Sequence, residues 1–201
     1  MAISLPTSPR CMAPSTPYLR RFGGVLSPFL GGPEQLINRL GTRWGQRVVF
    51  PPMRSAEEGR LFVSRLVQAG ESSLLMRWEG EEVDKGDCGA PQISAAVSGG
   101  SIIPISGLPA GKLLKEGWFF SIIHGGRRYV HMFTADALAN AAGAIASATI
   151  FPMLRVPLTA GDVLEIELPM IEGLVQSGEE LNWEMAIARR TNISFTMVEA
   201  A

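Results

Sequence analysis

The chain has 201 residues, enough to bury a real core as one domain or two small ones. Its hydrophobic fraction is 46% and its charged fraction only 18%, against roughly 25% in ordinary soluble domains, which points to a large core or to apolar surface kept for a partner. Twenty-two glycines and fourteen prolines, many of them between short apolar runs, argue against a helical bundle and for a β-rich fold.

The net charge of −1 conceals an asymmetry. Through Gly70 there are nine Lys/Arg against three Asp/Glu, and the remainder has nine against sixteen. The arginines are spread over several elements with no Lys-rich run, so complementary faces of neighbouring copies are a better reading than nucleic-acid binding. Cys11 and Cys88 form no CxxC pair and no disulfide ladder, which fits a reducing compartment. Met1 to Pro9 lacks a basic segment followed by an apolar one, and Ala137 to Leu154 is too weakly apolar to span a bilayer. A soluble chain without membrane insertion is expected.

In chain order, the first seventeen residues are rich in Pro, Ser and Thr and read as an extended arm. Tyr18 to Gly32 is broken by Gly23-Gly24, Pro28 and Gly31-Gly32. Thr42 to Phe50 reads as a strand stopped by Pro51-Pro52, because proline donates no ladder hydrogen bond. A helix is predicted over 55–69, opened by a Ser55–Glu58 capping box and closed by Gly70 as a left-handed cap. Its apolar stripe is Leu61, Phe62, Leu66 and Ala69, expected to cover a sheet together with Trp44.

Ser72 to Trp78 is the next strand. Glu79 to Gly89 carries Glu79, Glu81, Glu82, Asp84 and Asp87 and reads as a solvated loop. Short strands then follow at Gln92–Val97, Ser101–Ile105, Trp118–His124 and Arg127–Phe133, the last two joined by a Gly125-Gly126 hairpin turn. Ala135 to Ala144 is compatible with a helical turn or a loop. Strands resume at Ala146–Phe151, Val163–Leu168, Leu181–Arg189 and Ile193–Glu199.

The expected fold is therefore mostly β (α+β). A discontinuous first domain, sandwich- or barrel-like, spans 1–89 plus 169–201 and carries the one helix. A small β domain over 90–168 is inserted into it, with Pro169 and Gly173 marking the return. Ser72–Trp78 and Ile193–Glu199 are then expected in one sheet.

No catalytic, cofactor-binding or metal site assembles in this pattern. His124 and His131 flank the proposed hairpin turn without a nucleophile signature, and read as surface or interface histidines. Gly107 to Leu113 imitates a phosphate loop but is one residue short between its glycines, with Leu113 where Ser or Thr must meet a metal. The acidic loop lacks the ordered spacing of a calcium loop, and Cys88 beside it has no partner at zinc spacing. Trp44, Trp78, Trp118 and Trp183 each sit inside a strand candidate, where core or interface is a better reading than a sugar-stacking platform.

Three tracts are more specific. Ser27-Pro28-Phe29-Leu30-Gly31-Gly32, then Gly41-Thr42-Arg43-Trp44, then Phe50-Pro51-Pro52-Met53 resemble an ordered pattern in the distal tail proteins of long-tailed bacteriophages. The capped helix follows them, and Pro91 to Gly107, Phe151 to Arg155, Gly161-Asp162-Val163 and Phe195 to Glu199 resemble the same family. Glu116-Gly117-Trp118 departs from it, where Gly-Asp is more usual before the strand, and Ala137 to Ala144 is longer.

What the resemblance implies is a virion structural protein, not an enzyme. Such a protein forms a hexameric ring at the tail tip, joining the tail tube to the hub and baseplate, and is assembled in the host cytoplasm. DNA passes through its lumen without specific binding, no cofactor is needed, and an OB-like barrel is one form the inserted domain takes. The alternatives are a carbohydrate-binding β module for host-surface adhesion and another tail component such as a terminator or hub-associated protein.

Overall fold

The computed structural model describes residues 2–176, 183–186 and 190–200. The chain is mostly β, with one α-helix among the described residues. Its strands sort into one large sheet, one closed barrel and two small two-stranded pieces.

The large sheet runs in the order Ile3–Ser4, Leu74–Arg77, Met170–Val175, Arg190–Glu199, Arg43–Val49, Met12–Arg20. Met53–Arg54 and Trp183–Ala186 pair with the far end of Arg190–Glu199. The N-terminal segment is thus no free arm. Ile3–Ser4 joins one edge in parallel with Leu74 and Leu75, and Met12–Arg20 forms the other edge along Arg43–Val49. Leu74–Arg77 and Arg190–Glu199 share the sheet with Met170–Val175 between them, and the latter was not expected as a strand. Gly173 in it is no boundary. A Cβ there would lie 2.2 Å from the Val198 carbonyl oxygen, so the close approach of the two strands requires glycine. Of the strand expected over Leu181–Arg189, only Trp183–Ala186 falls within the described residues.

The helix covers one face of this sheet. It begins with a wide π-helical turn over Ser55–Gly59 and continues as an α-helix over Arg60–Ala69. The capping box expected at its start rests on the Ser55 side chain, which lies outside the described residues. Gly70 keeps right-handed angles (φ −61°, ψ −27°), so it is not the left-handed cap expected. The helix instead tightens through Gly70, Glu71 and Ser72, whose amides donate to carbonyls three residues back. Phe62, Leu66 and Ala69 are buried against Val48, Phe50, Leu74 and Phe195, with Trp44 packed at the margin, while Leu61 is 44% exposed. The stripe is therefore narrower than the four residues expected, because Leu61 projects about 100° away from Phe62.

The residues from Gln92 to Glu165 build the small barrel. Its six strands close in the order Phe119–His124, Arg127–Phe133, Ile145–Leu154, Gly100–Ser106, Gln92–Ile93, Val163–Glu165, all antiparallel. That is one strand more than the five of an OB-fold. Gly125 and Gly126, both at positive φ (57° and 79°), make the two-residue turn whose twist suits a hairpin. Phe120, Ile122, Phe133, Ile103 and Ile150 fill the interior. Ala137–Leu138 forms a two-residue strand with Leu113–Leu114, followed by an Asn140-to-Gly143 turn, so this stretch is not helical.

Barrel and sheet are joined by polar groups with almost no access to water. The Arg155 Nη2 lies 2.6 Å from Glu199 Oε1, at 8% and 0% side-chain exposure. The same carboxylate accepts from the Val130 amide at 2.7 Å and, through Oε2, from the Trp44 amide at 3.4 Å. Around it Trp44, Trp78 and Phe119 meet at ring separations of 5.1–5.8 Å, two residues from the sheet side and one from the barrel.

Candidate interaction surface

One substructure lies outside both cores. Between the adjacent strands Met12–Arg20 and Arg43–Val49 the chain leaves the sheet as a hairpin, Gly23–Leu26 against Gln35–Asn38, which pairs only with itself. Val25, Leu26, Leu36 and Leu40 are each more than half exposed, and at the tip Phe29 and Leu30 are 102% and 94% exposed. The tip is shaped by a turn closed from the Gly31 amide to the Pro28 carbonyl, and by Ser27 Oγ donating to Glu34. Sequence reading missed this hairpin because Gly23-Gly24 and Pro33 look like breakers, and because no alternation toward a core is needed where there is none.

Its base is firmly held. The Phe22 ring lies between the guanidinium groups of Arg20 and Arg43, at 5.3 and 5.0 Å. A Cβ on Gly41 would meet that ring at 2.9 Å, so glycine is required where the chain returns. Arg20, Arg21 and Arg39 are exposed here, and none forms an ion pair among the described residues. Four of the nine arginines of the first third of the chain, Arg20, Arg21, Arg39 and Arg43, lie at this base.

The second feature is a groove of about 520 Å³ beside the Ile3–Ser4 edge of the sheet, lined by Leu75, Leu168 and Met170 over the buried Leu164 and Ile166, and by Glu165 and Glu167. A recess of mixed charge adjoins it through Glu167, with Glu82 and Asp84 beside Arg10, Arg77 and Lys85. The loop that supplies this recess is not the freely solvated run expected. Lys85, 4% exposed, pairs with Glu81 and donates to the carbonyls of Phe119 and Ile166. Arg10 spans Glu79 and Glu82, and Lys112 donates to the carbonyls of Lys85 and Asp87. The lysine of the phosphate-loop look-alike is therefore a strut for this loop.

The residues singled out for chemistry do not converge. His131 is buried, its Nδ1 2.8 Å from the Pro152 carbonyl, so it is not the surface or interface histidine expected. Burial and the nearby Arg155 charge hold its pKa down at about 3. His124 bonds through Nδ1 to Asp162 at 2.8 Å, and Asp162 is itself fixed by the amide and hydroxyl of Thr159, a contact that ties a strand end to a turn. Cys88 is buried, and desolvation pushes the Cys11 thiol up to about 12, so neither is set up as a nucleophile. Among the described residues no group of three or more His, Cys, Asp or Glu is placed to hold a metal. Trp78 is 1% exposed, Trp44 and Trp118 pack against the two cores, and the Trp183 side chain lies outside the described residues.

No protein-family model matches the chain, and no curated protein matches its sequence. No helix among the described residues is long and apolar enough to cross a membrane.

Proposed function

We propose that this chain is a non-enzymatic structural subunit that assembles with copies of itself into a closed ring. The tail tip of a long-tailed phage, between tail tube and hub, is the setting that its sequence resemblance implies. The observation that carries the reading is the self-paired hairpin with Phe29 and Leu30 fully exposed at its tip. An isolated two-stranded hairpin is marginal in water, and exposed large apolar groups on a held scaffold mark a surface that another protein covers. Unlike charges on one subunit, arginines at the hairpin base and the exposed carboxylates of Glu82, Asp84 and Asp87, suit the side-to-side contacts of a ring. In this reading 1–89 plus 169–201 form the ring body, and the barrel over 90–168 is the inserted unit. DNA crosses the lumen without a specific site.

The test is multi-angle light scattering over a wide concentration range, together with electron cryo-microscopy of the purified protein and of virions. The expected result is a closed ring of six copies, also found as density at the tail tip. A chain that is monomeric at high concentration and absent from tail-tip density overturns the proposal. A glycan array is expected to show no binding, and a specific hit would favour the adhesion module instead.

A further inference from the structure

We infer that the hairpin tip of one copy, Phe29 and Leu30, seats in the groove lined by Leu75, Leu168 and Met170 of the next copy, with Arg21 and Arg39 over that copy's Glu82 and Asp84. This rests on the self-assembly proposed above and names the two surfaces that meet.

Three observations lead to it. First, the two features occupy opposite edges of one sheet. The hairpin grows from Met12–Arg20 and Arg43–Val49 at one edge, and the groove is lined by Ser4 and Leu75 at the other. Five strand spacings of about 4.8 Å put roughly 24 Å between them. A protrusion at one edge and a recess at the other give a head-to-tail contact, the kind that closes into a ring when its rotation permits.

Second, the shapes and polarities correspond. The groove, at about 520 Å³, lies within the roughly 300–1,000 Å³ of clefts that bury a ligand, and its walls are mainly apolar. Arg128, the cation within it, is already engaged in a two-pronged contact with Glu165 at 2.9 and 3.0 Å. An apolar tip therefore meets no unpaired positive charge. Third, the charges correspond. Arg21 and Arg39 lie at the hairpin base, and Asp84 and Glu82 lie in the recess that shares Glu167 with the groove, Glu82 being 83% exposed with Arg10 2.9 Å away on one side. Exposed carboxylates on the same chain are a partner already present at the arginines' own concentration, which favours a second copy over nucleic acid.

The experiment mixes two disabled variants. Phe29→Asp/Leu30→Asp removes the tip and keeps the groove. Leu168→Arg obstructs the groove and keeps the tip. All three positions are exposed, and circular dichroism with thermal unfolding establishes that the variants are folded. In sedimentation velocity at a concentration where the wild type assembles, each variant alone is expected to be monomeric. An equimolar mixture has one intact tip–groove pair and is expected to form a heterodimer that grows no further. Adding Arg21→Glu/Arg39→Glu to the Leu168→Arg chain is expected to weaken that heterodimer at least ~10-fold at low salt, and less at high salt.

A Leu168→Arg chain that still assembles while the tip variant does not would overturn the seating and leave self-assembly standing. A mixture that stays monomeric would also overturn the seating. A wild type that is monomeric throughout overturns the seating, and only its absence from tail-tip density as well removes the ring. Arginine variants that leave the heterodimer unchanged but lose retention on duplex DNA would reassign these side chains to nucleic acid and overturn their place in the contact.

Discussion

The hairpin over Phe119–His124 and Arg127–Phe133 and the hairpin over Gly23–Leu26 and Gln35–Asn38 share a strand–turn–strand plan and a similar stock of apolar residues. The first is covered on both faces. Phe120, Ile122 and Phe133 point into the barrel, while Val130 and Phe119 pack toward the large sheet. The second lies outside both cores, and Val25, Leu26 and Leu36 in it are each more than half exposed. Burial of apolar area is the main favourable term in folding, so the first hairpin contributes to the stability of the chain itself. The second contributes little to it, and its conformation is set from its base by Phe22, Gly41 and the flanking arginines. Apolar residues that do not serve the fold are available to serve a partner.

The largest expected effect comes from breaking the covered hairpin. Phe120 is fully buried and stacked on Phe133 at a ring separation of 4.2 Å. Phe120→Ala should cost about 3–5 kcal/mol, the range for deleting a buried aromatic, and Leu66→Ala in the helix–sheet core about 2–5 kcal/mol. Urea denaturation reads both. A loss under about 1 kcal/mol at Phe120 would mean that the barrel interior is not close-packed there.

These elements also differ in how legible they were. The barrel hairpin could be read because its apolar positions belong to strands of ordinary length and Gly125-Gly126 marks a turn with a known mechanism. The helix could be read from its period, although the exposed Leu61 shows that a stripe is only as wide as the sheet beneath it. Met170–Val175 was missed because Gly173 looks like a break in the sequence. Only the three-dimensional approach of Val198 shows why glycine stands there. Lys85 and Glu199 were illegible for another reason. Apart from Glu81, four residues before Lys85, their partners Phe119, Ile166, Arg155 and Val130 lie tens of residues away, and no local pattern encodes such pairing.

The attachment of barrel to sheet gives the next effect. Glu199→Gln leaves the Arg155 guanidinium buried without its counter-charge, and breaking a buried pair in this way costs about 3–5 kcal/mol. The carboxamide oxygen still accepts from the Val130 amide. Adding Arg155→Met to Glu199→Gln should therefore recover most of the loss, since the uncompensated charge is then gone. A double variant as unstable as the single one would show that Arg155 matters here through its packing on Tyr129, over which it lies at 5.4 Å.

A smaller, pH-dependent effect belongs to His131, which lies in the covered hairpin. Its folded pKa of about 3 is below the ordinary 6.5, so the unfolded chain binds a proton that the folded chain refuses. The stability from keeping His131 neutral is fully present above pH 6.5 and declines as pH falls toward 3, at up to about 1.4 kcal/mol per pH unit. Denaturation at pH 7 and pH 5 should show this slope, and His131→Asn should reduce it. An unchanged slope in the variant would assign the acid sensitivity to other groups.

The smallest effect on the isolated fold is expected at the uncovered hairpin, and it is the most informative about function. Phe29→Ser/Leu30→Ser alters two side chains that touch little in the subunit, so at low concentration its unfolding free energy should match the wild type within about 0.5 kcal/mol. The concentration dependence should differ. Anything that binds only the folded state raises the melting temperature by mass action, so an assembling wild type should melt higher as its concentration increases. The serine variant should melt at one temperature throughout. The comparison fails if the variant is destabilised at low concentration, which would place the tip in the subunit's own core. It fails equally if both proteins show the same concentration dependence, which would mean that self-association uses a surface other than this hairpin.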